Sequence, residues 1–236
     1  MAGKLILLPN LLDESLSHEG FLPPAVATAV RSIQGIVAES EKSARRYVRR
    51  FLSHEEMARL PIRLLNEHTP STELAELLLP LQKGECWGLL SDAGLPSLAD
   101  PGADLVWFAR SHQIAVEALS GPCSITLALQ LSGLPAQRFA FHGYLPRESA
   151  QLEEAIRSLE KRSKQESATQ VFIEAPYRSQ KLLDTLLSTL HPSTHLCIAS
   201  SLTGPNEKVL SLPVSKFKQT QVQLGKEPTV FLFHFS

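Results

Sequence analysis

Asp92 and Asp100 stand in the stretch SDAGLPSLADPG, Ser91 to Gly102, together with Gly94, Gly102, Pro96 and Pro101. The two carboxylates are short acceptors suited to amide or hydroxyl donors. The glycines let backbone come close to a ligand, and the prolines stiffen the loop. That mixture suits a loop that holds a ligand. A competing structural reading makes Asp100 the cap of a following helix and Pro101 its first residue, which leaves SDAGLP unexplained.

Two further groups have chemical potential. EAPYR, Glu174 to Arg178, places a carboxylate, a rigid turn, an aromatic ring and a guanidinium together after an apolar run; its alternative is an ion pair between Glu174 and Arg178. Arg45, Arg46, Arg49 and Arg50 form two i, i+4 pairs on a helix and could hold phosphates, or could be a solvated face. Other chemistries lack their signatures. There is no GxG, hence no dinucleotide fingerprint, and no P-loop or GxSxG pattern. His54-Glu55 begins like a zinc-protease motif, but Ala58 occupies the second histidine position; His191 and His195 have ligand-like spacing without a third ligand, so no metal is expected.

The elements that must position these groups alternate. CWGLL, Cys86 to Leu90, reads as a buried strand before Ser91, and ADLVWFARSH after Gly102 has helical spacing. The SDAG loop therefore leaves the carboxyl end of a strand, where open parallel sheets bind ligands. Strands at Leu5–Pro9, Gly35–Glu39, Ile62–Asn66 and Ile114–Leu119, with helices at 25–32, 42–52 and 71–79, predict βαβ units and a mostly parallel sheet. Ser53 with Glu56 fits a capping box, and Thr69 with Pro70 fits a cap and first helical position. ITLALQLSG forms a helix ending at Gly133.

Beyond it, FAFHGYLP, an amphipathic helix carrying Leu152, Ala155, Ile156 and Leu159, TQVFIEA, a leucine-rich helix at 182–190, HLCIAS, EKVLSL and TVFLFHF predict a second sheet. EKVLSL follows HLCIAS closely enough to form a hairpin, which makes that sheet mixed. The expected domains are residues 1–119 and 120–236, both α/β.

The chain has 236 residues, a hydrophobic fraction of 43% and a net charge of -1, ordinary for a globular protein. A pI near 6.7 means that any RNA partner must be gripped by a local patch. Cys86, Cys123 and Cys197 cannot all pair with one another, and the apolar run after Lys4 is too short for a signal peptide; a cytoplasmic location is expected, with no membrane span.

SDAGLPSLADPG, GPCS followed by LALQLSGLP, FAFHGYLP, FIEAPYR and SLTGPNE occur in an order and spacing that resemble the tetrapyrrole methylase superfamily, and within it the ribosomal RNA small subunit methyltransferase I family. The resemblance implies a two-domain α/β fold with S-adenosylmethionine in the cleft between domains, and no Gly-rich loop. It implies cofactor contacts from Pro9, Ser91, Asp92, Ala93, Pro96, Cys123 and Ser124, and from the neighbourhoods of Glu174 and Leu202. It further implies 2'-O-methylation of a ribose in ribosomal RNA of the small subunit, by a homodimer. No general base is identified; Glu174 and Asp100 are candidates. The alternatives are methylation of a small molecule such as a tetrapyrrole, for which the superfamily's GGDP loop is here replaced by SDAG, and a non-catalytic module that binds S-adenosylmethionine.

Overall fold

The computed structural model describes residues 3–66, 69–217, 219–220 and 222–235. It divides into two compact units, Met1–Cys123 and Ser124–Ser236.

The first unit runs β1 (Lys4–Leu8), α1 (Pro24–Ser32), β2 (Gly35–Ala38), α2 (Glu41–Val48), α3 (His54–Arg59), β3 (Ile62–Leu64), α4 (Leu74–Gln82), β4 (Cys86–Leu90), α5 (Ala103–Ser111) and β5 (Ala115–Ala118). The strands form one parallel sheet in the order β3-β2-β4-β1-β5. GIVA of β2 is buried throughout, as an apolar strand covered on both faces must be. Alternation along the strands sorts the core into two layers. Ile6, Leu8, Ile36, Ala38 and Leu90 meet α1 and α2 through Val26, Val30, Ala44, Tyr47 and Val48. Leu5, Val37, Trp87 and Leu89 meet α4 and α5 through Leu77, Leu78, Leu81, Leu105 and Ala109. The chain thus leaves β1 toward one face and the neighbouring β4 toward the other, so the loops after them diverge and open a crevice at the carboxyl edge.

Local signals were met in part. The Ser53 capping box is present: the Ser53 amide donates to Glu56 Oε2 at 2.7 Å and the Glu56 amide to Ser53 Oγ at 3.3 Å. Helix α2 stops at Val48 rather than Leu52, because the amides of Arg50 and Phe51 turn to the carbonyls three residues back. Thr69 is not the cap of α4. Its hydroxyl accepts from the Asn66 amide at 3.0 Å, and a single tight turn at Ser71–Glu73 precedes α4. Asp100 is likewise not a cap: Gly102, at φ 123°, holds that position before α5 with no side-chain bond. A Cβ on Gly102 would lie 2.8 Å from Leu89 Cδ2, so the loop returns to the sheet only because glycine is there.

The second unit runs α6 (Ser124–Ser132), β6 (Phe139–Tyr144), α7 (Ser149–Glu166), β7 (Thr169–Glu174), α8 (Ser179–Thr189), β8 (His195–Ser200), β9 (Lys208–Pro213), α9 (Val214–Phe217) and β10 (Thr229–His234). Its sheet, in the order β6-β7-β10-β8-β9, is mixed, with β6 parallel to β7 and the remaining pairs antiparallel. The expected β8–β9 hairpin is there. Leu152, Ile156 and Leu159 of α7 and Leu182, Leu183 and Leu186 of α8 pack on Phe172, Leu196, Ile198, Phe231 and Phe233. Helix α6 packs on β8, β9 and β10, and its last carbonyl, of Ser132, accepts from Ser211 Oγ at 2.6 Å. Among the described residues, no helix is long and apolar enough to cross a membrane.

Gly35 and Trp87 are register partners on β2 and β4, and the indole fills the space over the glycine. A Cβ at residue 35 would meet the ring at 2.4 Å. Gly35→Ala is expected to lower stability by about 1–3 kcal/mol through overpacking, measured as a reduced urea midpoint; an unchanged midpoint would mean that this contact is slack.

Candidate functional site

Pro9 ends β1, and Asn10 follows it, only 7% exposed. Asn10 Nδ2 donates to the carbonyls of Ser91 (3.1 Å) and Asp92 (3.0 Å), and its Oδ1 accepts from the Leu11 amide at 2.8 Å. Its own amide donates to Gly94 O at 2.7 Å. The SDAG loop is therefore wrapped around one side chain, and Ser91 Oγ tightens it further by donating to Ala93 O at 2.8 Å. Sequence reasoning passed over Asn10. Its only local signal is an amide after a strand-ending proline, whereas its partners lie 81 and 82 positions away.

The loop after β5 closes on the same place. A Cβ on Gly121 would sit 2.1 Å from Pro9 Cβ, and one on Gly94, at φ 68°, would be 3.6 Å from Pro122 O. Glycine at 121 thus allows GPC to lie against Pro9. Of the residues singled out in this unit, Pro9, Ser91, Pro96 and Cys123 are buried, while Asp92 and Ala93 are exposed at the crevice.

This edge is acidic. Glu39, just past β2, accepts from the Asp92 amide at 3.1 Å, and Ser40 Oγ donates to Asp92 Oδ1 at 3.3 Å. Burial, reinforced by the charges of Asp100 and Asp92 and opposed by the Asp92 amide, pushes the Glu39 carboxyl up to about 7. Burial also raises Asp100, against a favourable bond from Ser91 and with the charge of Asp92 adding to the rise. Such a rim favours a ligand that brings positive charge or hydrogen-bond donors, and disfavours phosphates.

In the second unit, Glu174 closes β7 beside Thr229, which pairs on its other side with Ser200; Leu202 follows in the turn after β8. The sheet thereby brings Glu174 and Leu202 to one edge. That turn holds Ser201 and Thr203 at φ 50° and 68°, a left-handed conformation that non-glycine residues rarely adopt. Glu174 is buried, its Oε1 accepting from the Ala175 amide at 2.7 Å and its Oε2 lying 3.0 Å from Arg178 Nη2, too far out of line for a hydrogen bond but close enough for an ion pair. The ion-pair alternative for EAPYR is therefore the observed arrangement. Ser124 opens α6.

The four arginines are not equivalent. Arg45 is paired with Glu41 and Arg46 with Glu14. Arg50 turns away from them to donate to the carbonyls of Leu16 and Glu14, at 3.0 and 2.6 Å. It is a brace for the loop after β1, not part of a phosphate-facing row.

Residues 20–218 match the family model described as Tetrapyrrole (Corrin/Porphyrin) Methylases. The chain belongs to this family. Among its relatives, the ribosomal RNA small subunit methyltransferase I of Xylella fastidiosa is 34% identical over 214 residues, 90% of this chain and 74% of that protein. Its namesake in Escherichia coli O157:H7 is 34% identical over 152 residues, 64% of this chain and 52% of that protein, so the chain spans about half the length of this relative. Two solved methylases have the same fold. The methyltransferase CobJ superposes with a TM-score of 0.62 at 15% identity, covering 98% of this chain and 94% of that one. Uroporphyrin-III-C-methyltransferase from Thermus thermophilus gives 0.57 at 19% identity, covering 99% and 93%.

Asn10→Ala is expected to destabilise the protein by about 1–3 kcal/mol, because a buried and a partly buried carbonyl lose their donor. Hydrogen exchange should quicken at the amides of residues 91–94. Asn10→Asp should be worse than Ala at neutral pH, where a carboxylate faces two carbonyl oxygens, and milder in acid, where its proton can be donated. Equal stability of the two variants at all pH values would exclude the clamp.

Glu39 carries a pH signature. Its folded value of about 7 lies above the ordinary 4.5, so the folded protein holds an extra proton between those values and loses stability as pH rises through that window. Glu39→Gln should flatten this fall, leaving the residual slope due to Asp100; urea midpoints from pH 4 to 8 measure it, and an unaltered profile would assign the slope to other groups.

Proposed function

We propose that this protein is an S-adenosylmethionine-dependent methyltransferase that modifies a ribose 2'-hydroxyl in small-subunit ribosomal RNA. The observation that carries the cofactor reading is the acidic edge past β2 and β4, where Glu39, Asp92 and Asp100 lie together beside the loop that Asn10 holds; the contacts proposed in this unit are Pro9, Ser91, Asp92, Ala93, Pro96 and Cys123. A nucleotide carrying phosphates would meet like charge at this edge. S-adenosylmethionine has no phosphate and a net positive charge, needs no glycine-rich phosphate loop, and offers amino and hydroxyl donors that suit exposed carbonyls and carboxylates. When bound, it supplies an activated methyl group on its sulfonium. The residues of the chain hold and orient: Asn10 fixes the loop whose exposed Asp92 and Ala93 face the ligand. The contacts proposed in the second unit are Ser124, Glu174 and Leu202.

The acceptor reading rests on the relatives named ribosomal RNA small subunit methyltransferase I. Of the two carboxylates considered as acceptors of the hydroxyl proton, Glu174 is committed to Arg178 and the Ala175 amide, whereas Asp100 sits at the first-unit crevice with its basicity raised by burial. We place the reaction in the cytoplasm and the enzyme in a homodimer. A tetrapyrrole acceptor, of the kind named for the uroporphyrin-III-C-methyltransferase of Thermus thermophilus, is the second reading.

S-adenosylmethionine and its demethylated product should raise the thermal midpoint, by the equivalent of about 2.7 kcal/mol at a hundredfold excess over Kd, and ATP and NAD should not. Ala93→Leu, at an exposed position, should fold normally and lose this shift. With labelled cofactor, methyl transfer to small ribosomal subunits or their RNA is expected. Transfer to a tetrapyrrole alone would select the second reading, and binding without transfer to any acceptor would leave a cofactor-binding module.

A further inference from the structure

Helix α2 and the turn that follows it divide their residues with helical regularity. Ala44, Tyr47, Val48 and Phe51, at i, i+3, i+4 and i+7, are buried against the sheet. Lys42, Arg45, Arg46 and Arg49 follow the same spacing on the outer side, and with Leu52, His54 and Met57 they line an open groove of about 780 Å³. Arg50 falls outside this row, which is why it can brace the loop at Glu14 and Leu16 instead. In a chain whose net charge is -1, this is a local concentration of cations. The carboxylates that meet them are Glu41, on Arg45, and Glu14, on Arg46. Glu56, on the neighbouring α3, is turned back onto Ser53. Among the described residues, Lys42 and Arg49 have no ion pair or side-chain hydrogen bond, and both are exposed.

The groove is tied to the crevice. Ser40, the cap of α2, receives the Ser43 amide at 3.2 Å and donates to Asp92 of the SDAG loop. From Ser40 to Arg49 is about 13 Å along the helix at 1.5 Å per residue. A ligand lying along the row is therefore held by a rigid strut at a fixed distance from the loop proposed to face the methyl donor.

We propose that this groove is the docking surface for the sugar-phosphate backbone of the RNA acceptor, flanking the nucleotide to be methylated. The inference rests on the RNA reading above and gives that reading a place. A nucleic acid carries a phosphate on every nucleotide, so one continuous ligand engages several cations of the row and releases counterions at each contact. Leu52 and Met57 add an apolar floor for the face of a ribose or base. Lys42 and Arg49 supply the first phosphate contacts, because Arg45 and Arg46 must exchange a carboxylate of the chain for a phosphate and gain less.

The test compares the intact protein with the double variant Lys42→Gln, Arg49→Gln, measuring binding of small-subunit ribosomal RNA across a salt series, cofactor binding and thermal midpoint. The expected result is RNA affinity at least tenfold lower at low salt, and a log-log salt slope shallower by about 1.4–1.8 for two lost contacts. Cofactor affinity and midpoint should not change. Arg45→Gln with Arg46→Gln should flatten the slope less. If the intact protein binds and methylates the RNA and the Lys42, Arg49 variant does so with the same affinity and slope, the groove proposal falls while the RNA reading stands. If the intact protein neither binds nor methylates this RNA, the functional reading itself fails, and the groove proposal with it. Binding of polyglutamate that equals RNA in strength and is lost in the same variant would reassign the groove to an acidic protein partner and overturn the proposal.

Discussion

The buried amide of Asn10 ties the end of the central strand β1 to the loop that leaves its neighbour β4. Parallel strands whose following helices pass to opposite faces leave a gap between their exit loops, and an open gap in backbone is a place where polar groups go unsatisfied. Asn10 satisfies two carbonyls of the β4 loop while its backbone amide takes a third, from Gly94. The loop is consequently held short and close to the sheet, with Asp92 and Ala93 turned outward. Glycine at 121 then lets the loop after β5 close against Pro9.

Electrostatics follow from that geometry. Holding Asp92 at the edge brings its amide to Glu39 and its carboxylate to Ser40, and places both near Asp100. Burial raises the proton affinity of Glu39 and of Asp100 at this edge, and the charge of Asp92 adds to the rise at both. A net-positive ligand relieves this frustration, whereas a phosphate aggravates it. The absence of a glycine-rich phosphate loop from the sequence and the acidity of the crevice are thus two expressions of one preference. The basic groove on the outer side of α2 carries the opposite charge and runs along the helix whose cap belongs to the rim.

Much of the framework was legible in the sequence because it depends on residues near one another. GIVA and CWGLL read as buried strands since apolar runs of that length have no other use in an alternating chain, and Ser53 with Glu56 marked a helix start through a bond that spans three residues. The exit loop at Ser91 was likewise readable from the strand before it. Asn10 was not, because its role depends on carbonyls of β4's loop brought alongside only by the sheet. Asp100 reads as a cap because Pro101 after it is a good first helical residue, whereas in the fold Gly102 takes the cap position, where a Cβ would meet Leu89, and the helix starts at Ala103.

The sequence by itself determined the alternation of strands and helices, the buried and exposed sides of each, the position of the loop that leaves β4 and, through ordered motifs, the family. These are properties of local spacing and of residue type, which a linear chain displays directly. Tertiary structure alone decided which carboxylates crowd together, which side chain clamps the crevice, and which cations remain unpaired. Arg50 is the clearest case: on the helix it is one of four arginines, and only the folded loop carrying the carbonyls of Glu14 and Leu16 removes it from the row that Lys42 joins. Charge and hydrogen-bond partners in this protein lie tens of residues apart, and no spacing rule spans that distance until the sheet has set the register.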